Sequence, residues 1–287
     1  MFKIVSKKEL AHDIARFDIE APLIARKALA GQFVVIRIHE DGERIPLTIA
    51  AYDREKGNIS LVVMRIGKST ALLAELKEGD SILDLVGPLG NPSEIEDFGR
   101  VICVGGGAGI APVLPIAREL KMAGNYVISI IGAKTKDMLI LEDEMESASD
   151  ELHICTDDGS LGYKGFVSGL LEDYLEKNLI DNKSKKTNIA RCTAIGPAIM
   201  MASVVRVTKK YELKTIVSLN SIMVDGTGMC GACRVEVGGK TKFVCVDGPE
   251  FDGQQVNFDL LISRQKMYCD DEKVCYDLHE KECRCKK

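Results

Sequence analysis

The sequence predicts a β-barrel plus an α/β domain, followed by a small module rich in glycine and cysteine. Short strands of alternating polarity, separated by Gly, Asp and Asn, fill about the first hundred residues and are typical of a small antiparallel barrel. From Gly99 onward, apolar strands alternate with helices, which predicts a parallel sheet with crossover connections. A later glycine-rich segment holds three closely spaced cysteines, Cys230, Cys233 and Cys245.

These changes of pattern divide the chain into four expected segments. Residues 1–98 form the barrel, residues 99–210 the α/β domain, residues 211–258 the cysteine module, and residues 259–287 a cysteine-containing tail. A chain of 287 residues exceeds what one average domain needs, which agrees with this division. With 46% hydrophobic residues and no low-complexity stretch, the chain can bury a sizeable core.

Composition also excludes some classes of function. A net charge of −5, the absence of Trp and the lack of a basic stripe argue against nucleic-acid binding. The start, MFKIVSKKELAHD, lacks the apolar core of a signal peptide, and the longest uncharged run, residues 101–117, is short and broken by Gly and Pro. We therefore expect no membrane span. Ten cysteines without a secretory signal indicate a reducing compartment, so we expect a cytoplasmic protein.

The barrel contains two segments that favour a ligand. Its expected strands are FKIVSKKEL, ARFDIEA, QFVVIRIHE, IPLTIAAYD, NISLVVMRI and SILDLVGPLG. One segment starts the fourth strand, and the other leads from the fifth strand into a helix, TALLAELKEG. The candidate residues are Arg44, Pro46, Leu47, Thr48, Val63, Met64, Arg65, Gly67, Ser69 and Thr70. A helix N-terminus preceded by Gly, Ser and Thr favours phosphate, although such residues more often serve as plain N-caps.

Three loops of the α/β domain should converge on a second ligand. The strand at residues 101–104 runs into Gly105, Gly106, Gly107, Ala108 and Gly109, and a helix follows with Pro112 near its start. The other two loops contain Thr156, Asp157, Asp158 and Gly159, and Gly196 and Pro197. Because parallel strands end at one sheet edge, these loops predict a dinucleotide site. Glycine-rich turns also serve tight helix packing, so the glycines alone are weak evidence.

The segment VDGTGMCGACRVEVGGKTKFVCVDGPEFDG predicts a metal cluster. Four residues separate Asp225 from Cys230, two separate Cys230 from Cys233, and eleven separate Cys233 from Cys245. This is the plant-type ferredoxin spacing with Asp in the first ligand position, and it indicates a [2Fe-2S] cluster. Structural zinc usually needs two short ligand pairs, and inert buried thiols are the other alternative. Either Asp225 is a ligand or a cysteine from elsewhere replaces it.

The tail adds cysteines whose spacing fits no standard metal pattern. They are Cys269, Cys275, Cys283 and Cys285, with His279 nearby. A helix over residues 265–281 would place Cys269 and Cys275 on different faces, which favours free thiols. The four histidines, His12, His39, His153 and His279, are scattered and are expected to be structural or exposed.

The order of these motifs resembles the ferredoxin reductase-like flavoprotein family. The resemblance rests on Arg-x-Pro-x-Thr at Arg44 and Gly-x-Ser-Thr at Gly67, followed by a nucleotide domain. It implies FAD on the barrel, with the arginine strand carrying the flavin ring and diphosphate, and NAD(H) on the three loops. Two departures are visible, Ile45 where many relatives have Arg and Ile195 where a Cys commonly precedes Gly-Pro. Lys134 and Lys136 could meet a 2′-phosphate, whereas Asp157 and Asp158 would repel one.

With the cysteine module added, the chain looks like the electron-transfer subunits of dihydroorotate dehydrogenase and sulfide dehydrogenase. Asp225, IPLT and AIGPAIMM are more similar to the small subunit of NADH-dependent reduced ferredoxin:NADP+ oxidoreductase. This resemblance implies hydride exchange between NAD(H) and FAD, single electrons passing to the cluster, and a heterodimer with a larger FAD and [4Fe-4S] subunit that serves ferredoxin and NADP(H). A dihydroorotate dehydrogenase subunit, a stand-alone ferredoxin or oxygenase reductase, and a non-catalytic redox sensor remain alternatives.

Overall fold

The structure is a computed structural model that describes residues 1–181 and 186–285. Its first part is the predicted barrel, a seven-stranded antiparallel sheet with the order β6-β1-β2-β5-β4-β3-β7. Leu83 alone separates the last two strands in sequence, so the two ends of this order meet and the barrel is nearly closed. The elements are β1 (Phe2–Ala11), β2 (Ile14–Glu20), α1 (Pro22–Lys27), β3 (Phe33–Arg37), β4 (Arg44–Asp53), β5 (Asn58–Met64), α2 (Lys68–Glu75), β6 (Ser81–Ile82) and β7 (Asp84–Leu89).

The alternating polarity of the barrel strands determines which side chains fill the interior. In β2, Ala15, Phe17 and Ile19 are buried, whereas Arg16 and Asp18 between them point outward and are only partly covered. Successive side chains of a strand point to opposite faces, so this pattern places the apolar set inside. Helix α1, which the sequence analysis did not anticipate, begins at Pro22, where a missing backbone N–H costs no hydrogen bond.

The second part is the predicted α/β domain, a second seven-stranded sheet with the order β11-β10-β9-β8-β14-β15-β18. All neighbours in this sheet are parallel except β18, which runs antiparallel to β15. The elements up to residue 209 are β8 (Arg100–Gly106), α3 (Ile110–Met122), β9 (Tyr126–Ala133), α4 (Glu142–Ser147), β10 (Glu151–Thr156), β11 (Tyr163–Lys164), α5 (Val167–Lys177), β12 (Leu179–Asp181), β13 (Lys186–Thr187), β14 (Arg191–Ile195) and α6 (Ala198–Lys209).

Both faces of this sheet are covered, which explains why its strands are apolar along their whole length. In β8, Val101 and Cys103 pack in the core with α3 and α4, while Ile102 and Val104 pack in the core with α5 and α6. Strands buried on both faces read as continuous apolar runs. The uninterrupted apolar run VICV at residues 101–104 is therefore explained by helices that cover both faces of the sheet.

The remaining elements complete the second sheet and build the cysteine module. They are β15 (Thr215–Ser218), β16 (Arg234–Val237), β17 (Lys240–Phe243), α7 (Val244–Asp247), β18 (Glu250–Asp252), α8 (Phe258–Gln265) and α9 (Cys269–Cys285). β15 and β18 belong to the expected segment 211–258, yet both join the nucleotide-domain sheet. The cysteine module is therefore continuous with the α/β domain.

The tail differs from the single helix expected over residues 265–281. Helix α8 ends at Gln265, whose side chain bonds Asn220, and a new helix begins at Cys269 after a turn. Residues 266–268 form the turn between the two helices, which helical pattern alone does not reveal. Helix α9 returns to the barrel, where His279 is 7% exposed and its Nε2 lies 3.4 Å from Glu75 Oε1 of α2.

The tail cysteines form no site among the described side chains. Cys269 and Cys275 are both exposed and free, which agrees with the expectation of free thiols, and the side chains of Cys283 and Cys285 lie outside what the structure describes. Among the described helices, none is both long and apolar enough to cross a membrane.

One side chain hydrogen bond joins the outer face of the barrel to the α/β domain. Tyr52 of β4 donates to Glu119 Oε1 of α3 over 2.7 Å. Burial, followed by this bond, raises the pKa of Tyr52 to about 12. The hydroxyl therefore stays protonated and donating throughout the neutral range.

We predict that Tyr52→Phe lowers the free energy of unfolding by about 1 kcal/mol at neutral pH, because one hydrogen bond is lost. Unfolded chains release the tyrosine proton near pH 10, whereas the folded protein keeps it until about 12. The difference in free energy of unfolding between wild type and Tyr52→Phe should therefore shrink as the pH rises through this window. Urea unfolding at about pH 8 and about pH 11 checks this. A difference that is the same at both values contradicts the assignment.

Candidate functional site

The strand order creates a crevice between the carboxyl ends of β8 and β14. β9 and β10 lie on one side of this pair and β15 on the other, so the connection order reverses between them. Ligands of open α/β sheets bind at such a point. The two loops that follow these strands are the predicted residues 105–109 and 195–197, so the structure brings them together.

The glycines of these loops allow direct contact between backbones. A Cβ on Gly109 would lie 2.3 Å from the carbonyl oxygen of Ile195 and 2.7 Å from Gly196 Cα. A Cβ on Gly106 would lie 2.2 Å from the sulfur of Met200, a residue that the sequence analysis did not single out. Gly107 instead has a φ of +56° and open space around it. Packing thus explains Gly106 and Gly109, and Gly107 leaves backbone accessible to a phosphate.

The third loop lies at the same sheet edge, beyond β9. Thr156 is buried, and its hydroxyl bonds the backbone of Leu161, so it shapes the loop. Asp157 and Asp158 are exposed. Hydrogen bonds from the side chain and backbone of Ser160 hold the pKa of Asp158 below its ordinary value. Lys134 and Lys136 are exposed as well, so positively and negatively charged side chains both face solvent at this edge.

The two barrel segments also meet. Ser69 Oγ donates to Glu43 Oε2 over 2.6 Å, which ties the start of α2 to the start of β4 beside Arg44. Arg44 is exposed, and the residues from Pro46 to Thr48 are half-buried. The structure therefore brings the predicted arginine strand and the predicted Ser-Thr turn to one place. Glu43 was not anticipated, and a phosphate bound by Ser69 would have to displace its carboxylate.

Thr70 has a structural role in this turn. Its hydroxyl accepts hydrogen bonds from the backbone N–H groups of Ile66 and Gly67 and donates to the carbonyl of Gly67. Thr70 is the third residue of α2 and bonds back to the backbone of the N-cap residue, as in a capping box. The N-cap position considered for Thr70 is held by Gly67 instead. Val63 is buried and Met64 half-buried at the end of β5, and the backbone N–H of Arg65 donates to Asp13.

The cysteine loop places two of its four predicted ligands in contact. Cys233 Sγ lies 3.2 Å from Cys245 Sγ, and both residues are buried. Burial, followed by the contact with Cys233, raises the pKa of the Cys245 thiol to about 12. A raised pKa means that the metal-free thiol stays neutral, whereas iron binds the thiolate. A coordinated cation lowers the pKa of a thiol and so makes it lose its proton. Two adjacent buried sulfurs fit one iron of a cluster.

Asp225 and Cys230 are connected through the backbone of the loop. The carboxylate of Asp225 accepts hydrogen bonds of 2.8 Å from the N–H groups of Thr227 and Cys230. These bonds, with that from Thr227 the largest contribution, hold the pKa of Asp225 below its usual value. The carboxylate is therefore ionised, as a metal ligand must be. The side chain of Cys230 is exposed. No three metal-ligating side chains are gathered among the described residues, so the four predicted ligands do not form a closed set.

Glycine lets the loop turn and lets it lie on the barrel. Gly226, Gly228 and Gly231 all have positive φ, which favours glycine. A Cβ on Gly226 would lie 2.7 Å from Val35 of β3 and 3.0 Å from Leu89 of β7. The cysteine loop therefore packs directly on β3, which neighbours β4 in the barrel, and on β7, which pairs with β3.

Two known domains match this architecture. Residues 1–93 match the oxidoreductase FAD-binding domain, and residues 220–257 match the iron-sulfur cluster binding domain of dihydroorotate dehydrogenase B. The predicted ferredoxin reductase-like barrel is thereby confirmed. The second match includes all four predicted cluster ligands.

Full-length relatives extend these matches over the whole chain. A Thermotoga maritima protein named as a homolog of the dihydroorotate dehydrogenase B (NAD(+)) electron transfer subunit is 50% identical, covering 96% of this chain and 94% of its own. The Streptococcus pneumoniae electron transfer subunit is 32% identical, covering 87% and 97%. The chain belongs to the family of dihydroorotate dehydrogenase B electron-transfer subunits. A structure of the NADH-dependent reduced ferredoxin-NADP oxidoreductase also matches, with a TM-score of 0.89, 48% identity and coverage of 97% and 98%.

Membership of the dihydroorotate dehydrogenase B electron-transfer subunit family defines the chemical class of this chain. It is an oxidoreductase flavoprotein subunit with an FAD-binding domain and an iron-sulfur cluster-binding domain. The FAD-binding domain match spans the start of β4 and the start of α2, and the iron-sulfur domain match spans the cysteine loop.

We predict that Gly109→Ala destabilises the protein by about 3 kcal/mol, because its Cβ would overlap backbone atoms that cannot rotate away. Gly107→Ala is the matched control, since it pays only for a positive φ, about 1 kcal/mol. Urea unfolding of both variants checks the difference. Equal stability of the two variants would contradict the contact between Gly109 and the loop at Ile195.

Proposed function

We propose that this chain is the NADH-oxidising small subunit of a heterodimeric flavin iron-sulfur oxidoreductase of the NADH-dependent reduced ferredoxin-NADP type. The observation that carries the proposal is one continuous apolar core beneath all three binding regions. It includes Phe33 and Val35 of the flavin barrel, Val104 and Ala194 of the nucleotide crevice, and Cys233 and Cys245 of the cysteine loop. Three redox sites on one rigid core have the fixed separations that electron transfer needs.

The nucleotide crevice favours NADH. The open backbone at Gly107 can approach a pyrophosphate, and the contact of Gly109 with the loop at Ile195 keeps the crevice narrow. Asp157 and Asp158 are exposed at the same sheet edge and repel a 2′-phosphate. Lys134 and Lys136 share that edge, and the proposed preference for NADH places the two aspartates, not the lysines, beside the ribose.

Arg44, Ser69 and the half-buried segment from Pro46 to Thr48 are the proposed FAD contacts. When bound there, FAD supplies the exchange between two-electron hydride chemistry and one-electron transfer. The chain positions the ring against the crevice and neutralises phosphate charge with Arg44. No acid or base is required of the residue at position 195, which agrees with Ile195.

The cysteine loop is the proposed exit for electrons. Asp225, Cys230, Cys233 and Cys245 are its proposed ligands for a [2Fe-2S] cluster. Around the exposed Cys230, the apolar side chains of Val224, Met229 and Val246 are 50%, 89% and 45% exposed. Exposed apolar side chains beside a redox site favour a docked protein. We therefore place the larger flavoprotein subunit, with its own FAD and [4Fe-4S] clusters and its link to ferredoxin and NADP(H), over this loop.

The second candidate is an electron-transfer subunit of dihydroorotate dehydrogenase itself. The names of the Thermotoga maritima and Streptococcus pneumoniae relatives favour it. Asp225 favours the first candidate, because dihydroorotate dehydrogenase subunits usually supply four cysteines. Full-length similarity to the ferredoxin-NADP oxidoreductase structure points the same way.

The test is a spectroscopic titration of the anaerobically purified full chain with NADH, with NADPH as the matched control. We expect NADH to bleach the flavin absorbance and to produce the paramagnetic signal of a reduced [2Fe-2S] cluster. If flavin and cluster are present but NADH reduces neither, the NADH-oxidising role is refuted and the non-catalytic redox sensor is favoured. After co-purification with the larger subunit, a complex that oxidises dihydroorotate rather than reduced ferredoxin would favour the second candidate. Full activity of this chain without any partner would indicate a stand-alone reductase.

We predict that Asp225→Cys retains iron but changes the paramagnetic spectrum and the reduction potential, because a soft thiolate replaces a hard oxygen ligand. Asp225→Asn is the control. It keeps a hydrogen-bond acceptor for the N–H groups of Thr227 and Cys230 but loses the anionic ligand, so iron content should fall. If both the spectrum and the potential of Asp225→Cys equal those of wild type, Asp225 is not a ligand.

A further inference from the structure

Glu250 is a partly buried carboxyl where the three parts of the chain meet. It is the first residue of β18 and follows α7, the helix that carries Cys245. Its Oε1 accepts a 2.5 Å hydrogen bond from Ser93 Oγ, on the segment that leaves the barrel. Gly31 of the barrel covers this pair, since a Cβ there would lie 2.2 Å from Ser93 Oγ and 3.2 Å from Glu250 Oε1. The carboxyl is enclosed between the barrel and the cysteine module.

The charged groups near Glu250 leave it without an ion pair of its own. Arg191 of β14 is 5% exposed, and its guanidinium lies 2.7 Å from Glu94 Oε2. Lys214 Nζ lies 3.9 Å from the same Glu94 oxygen. Among the ion pairs of the described residues, none includes Glu250. Arg191, the arginine whose charge acts on Glu250, is therefore already paired with another carboxylate.

The remaining surroundings favour the neutral acid. Burial raises the pKa of Glu250 above its ordinary value, and Glu94 adds to this, while the Ser93 hydrogen bond and Arg191 oppose it. On the neighbouring strand β8, Cys103 is fully buried, and burial raises its pKa to about 12, so it stays neutral. Cys103 is therefore a poor proton acceptor here, and Glu250 is the enclosed carboxyl whose ionised form burial disfavours.

The chain between Cys245 and Glu250 is held on the barrel. The backbone N–H of Asn91 donates to the carbonyl of Gly248 over 2.7 Å, and its side chain donates to the carbonyl of Val246 over 3.1 Å. Pro249 packs at Gly90, where a Cβ would lie 2.9 Å from its ring. These contacts fix Glu250 relative to the cysteine loop, and solvent ions screen partly buried charges weakly.

We propose that Glu250 binds a proton when an electron enters the cluster of the Cys245 loop and releases it when the electron leaves. This inference rests on the proposed function, in which that loop holds a [2Fe-2S] cluster. The electron comes from the nicotinamide donor, or from dithionite in a titration, and the proton comes from solvent water. The O–H bond of Glu250 is the only bond that forms, and it breaks again on oxidation. Glu250 thereby offsets the added negative charge.

The consequence is a cluster potential that depends on pH. An added electron strengthens proton binding, so the pKa of Glu250 is higher when the cluster is reduced than when it is oxidised. Between these two pKa values, the cluster potential falls as the pH rises. Outside this window the potential is constant. A tenfold difference in proton affinity between the two states corresponds to about 59 mV for a one-electron couple.

The experiment is a redox titration of the full, cofactor-loaded chain, followed by the paramagnetic signal of the cluster at a series of pH values. We expect a pH-dependent potential in wild type and a constant one in Glu250→Gln, which keeps the shape of the neutral acid. Ser93→Ala removes a donor that favours the ionised form, so its window should move to higher pH. Asp259→Asn changes an exposed carboxylate of α8 in the same way and should behave as wild type.

Each other outcome overturns the inference. A wild-type potential that does not vary with pH refutes proton uptake, and this result requires no variant to fold. A pH dependence that persists in Glu250→Gln assigns the proton to another group, such as Asp225. Absence of any cluster signal refutes the proposed function and this inference together, whereas a cluster with a pH-independent potential refutes the inference alone.

Discussion

The packing of the cysteine loop against the barrel is the constraint on which the arrangement of sites depends. Gly226 lets the loop lie on Val35 and Leu89, and Asn91 holds the segment after Cys245 through two hydrogen bonds. Because protein interiors are close-packed, a shift of one part would open voids in the others. The distance between the flavin-binding barrel and the cysteine pair is therefore a property of the core, and surface loops contribute little to it.

The buried cysteines of the sheet differ from those of the cysteine loop in what surrounds them. Cys103 and Cys192 are fully buried in the sheet, and burial raises the pKa of both, so neither offers a thiolate. Cys233 and Cys245 are buried as well, but they face each other at 3.2 Å. Mutual proximity, rather than burial, distinguishes the proposed ligand pair from the buried thiols of the sheet. Asp225 contributes the charge that such thiols lack, since backbone N–H groups keep it ionised.

Much of the fold and part of the site followed from local pattern. Alternation in ARFDIEA identified a barrel strand, and the apolar run before Gly105 identified the first strand of the parallel sheet. The cysteine spacing marked the segment that matches a known iron-sulfur domain. Pattern did not reveal the break between α8 and α9, Glu43 beside Ser69, or Glu250 beside Ser93. Each of these depends on a partner distant in sequence, except for the local turn that separates the two helices.

Strand period, helix alternation and ligand spacing are local properties of the chain, and they predicted the order of barrel, α/β domain and cysteine module. The glycines likewise predicted which backbone positions could turn tightly. Contacts in the folded chain were needed to show that β15 and β18 join the sheet of the α/β domain and that Glu250 is enclosed without an ion pair. Register, burial and pairing arise from contacts between segments that pack together only in the folded chain.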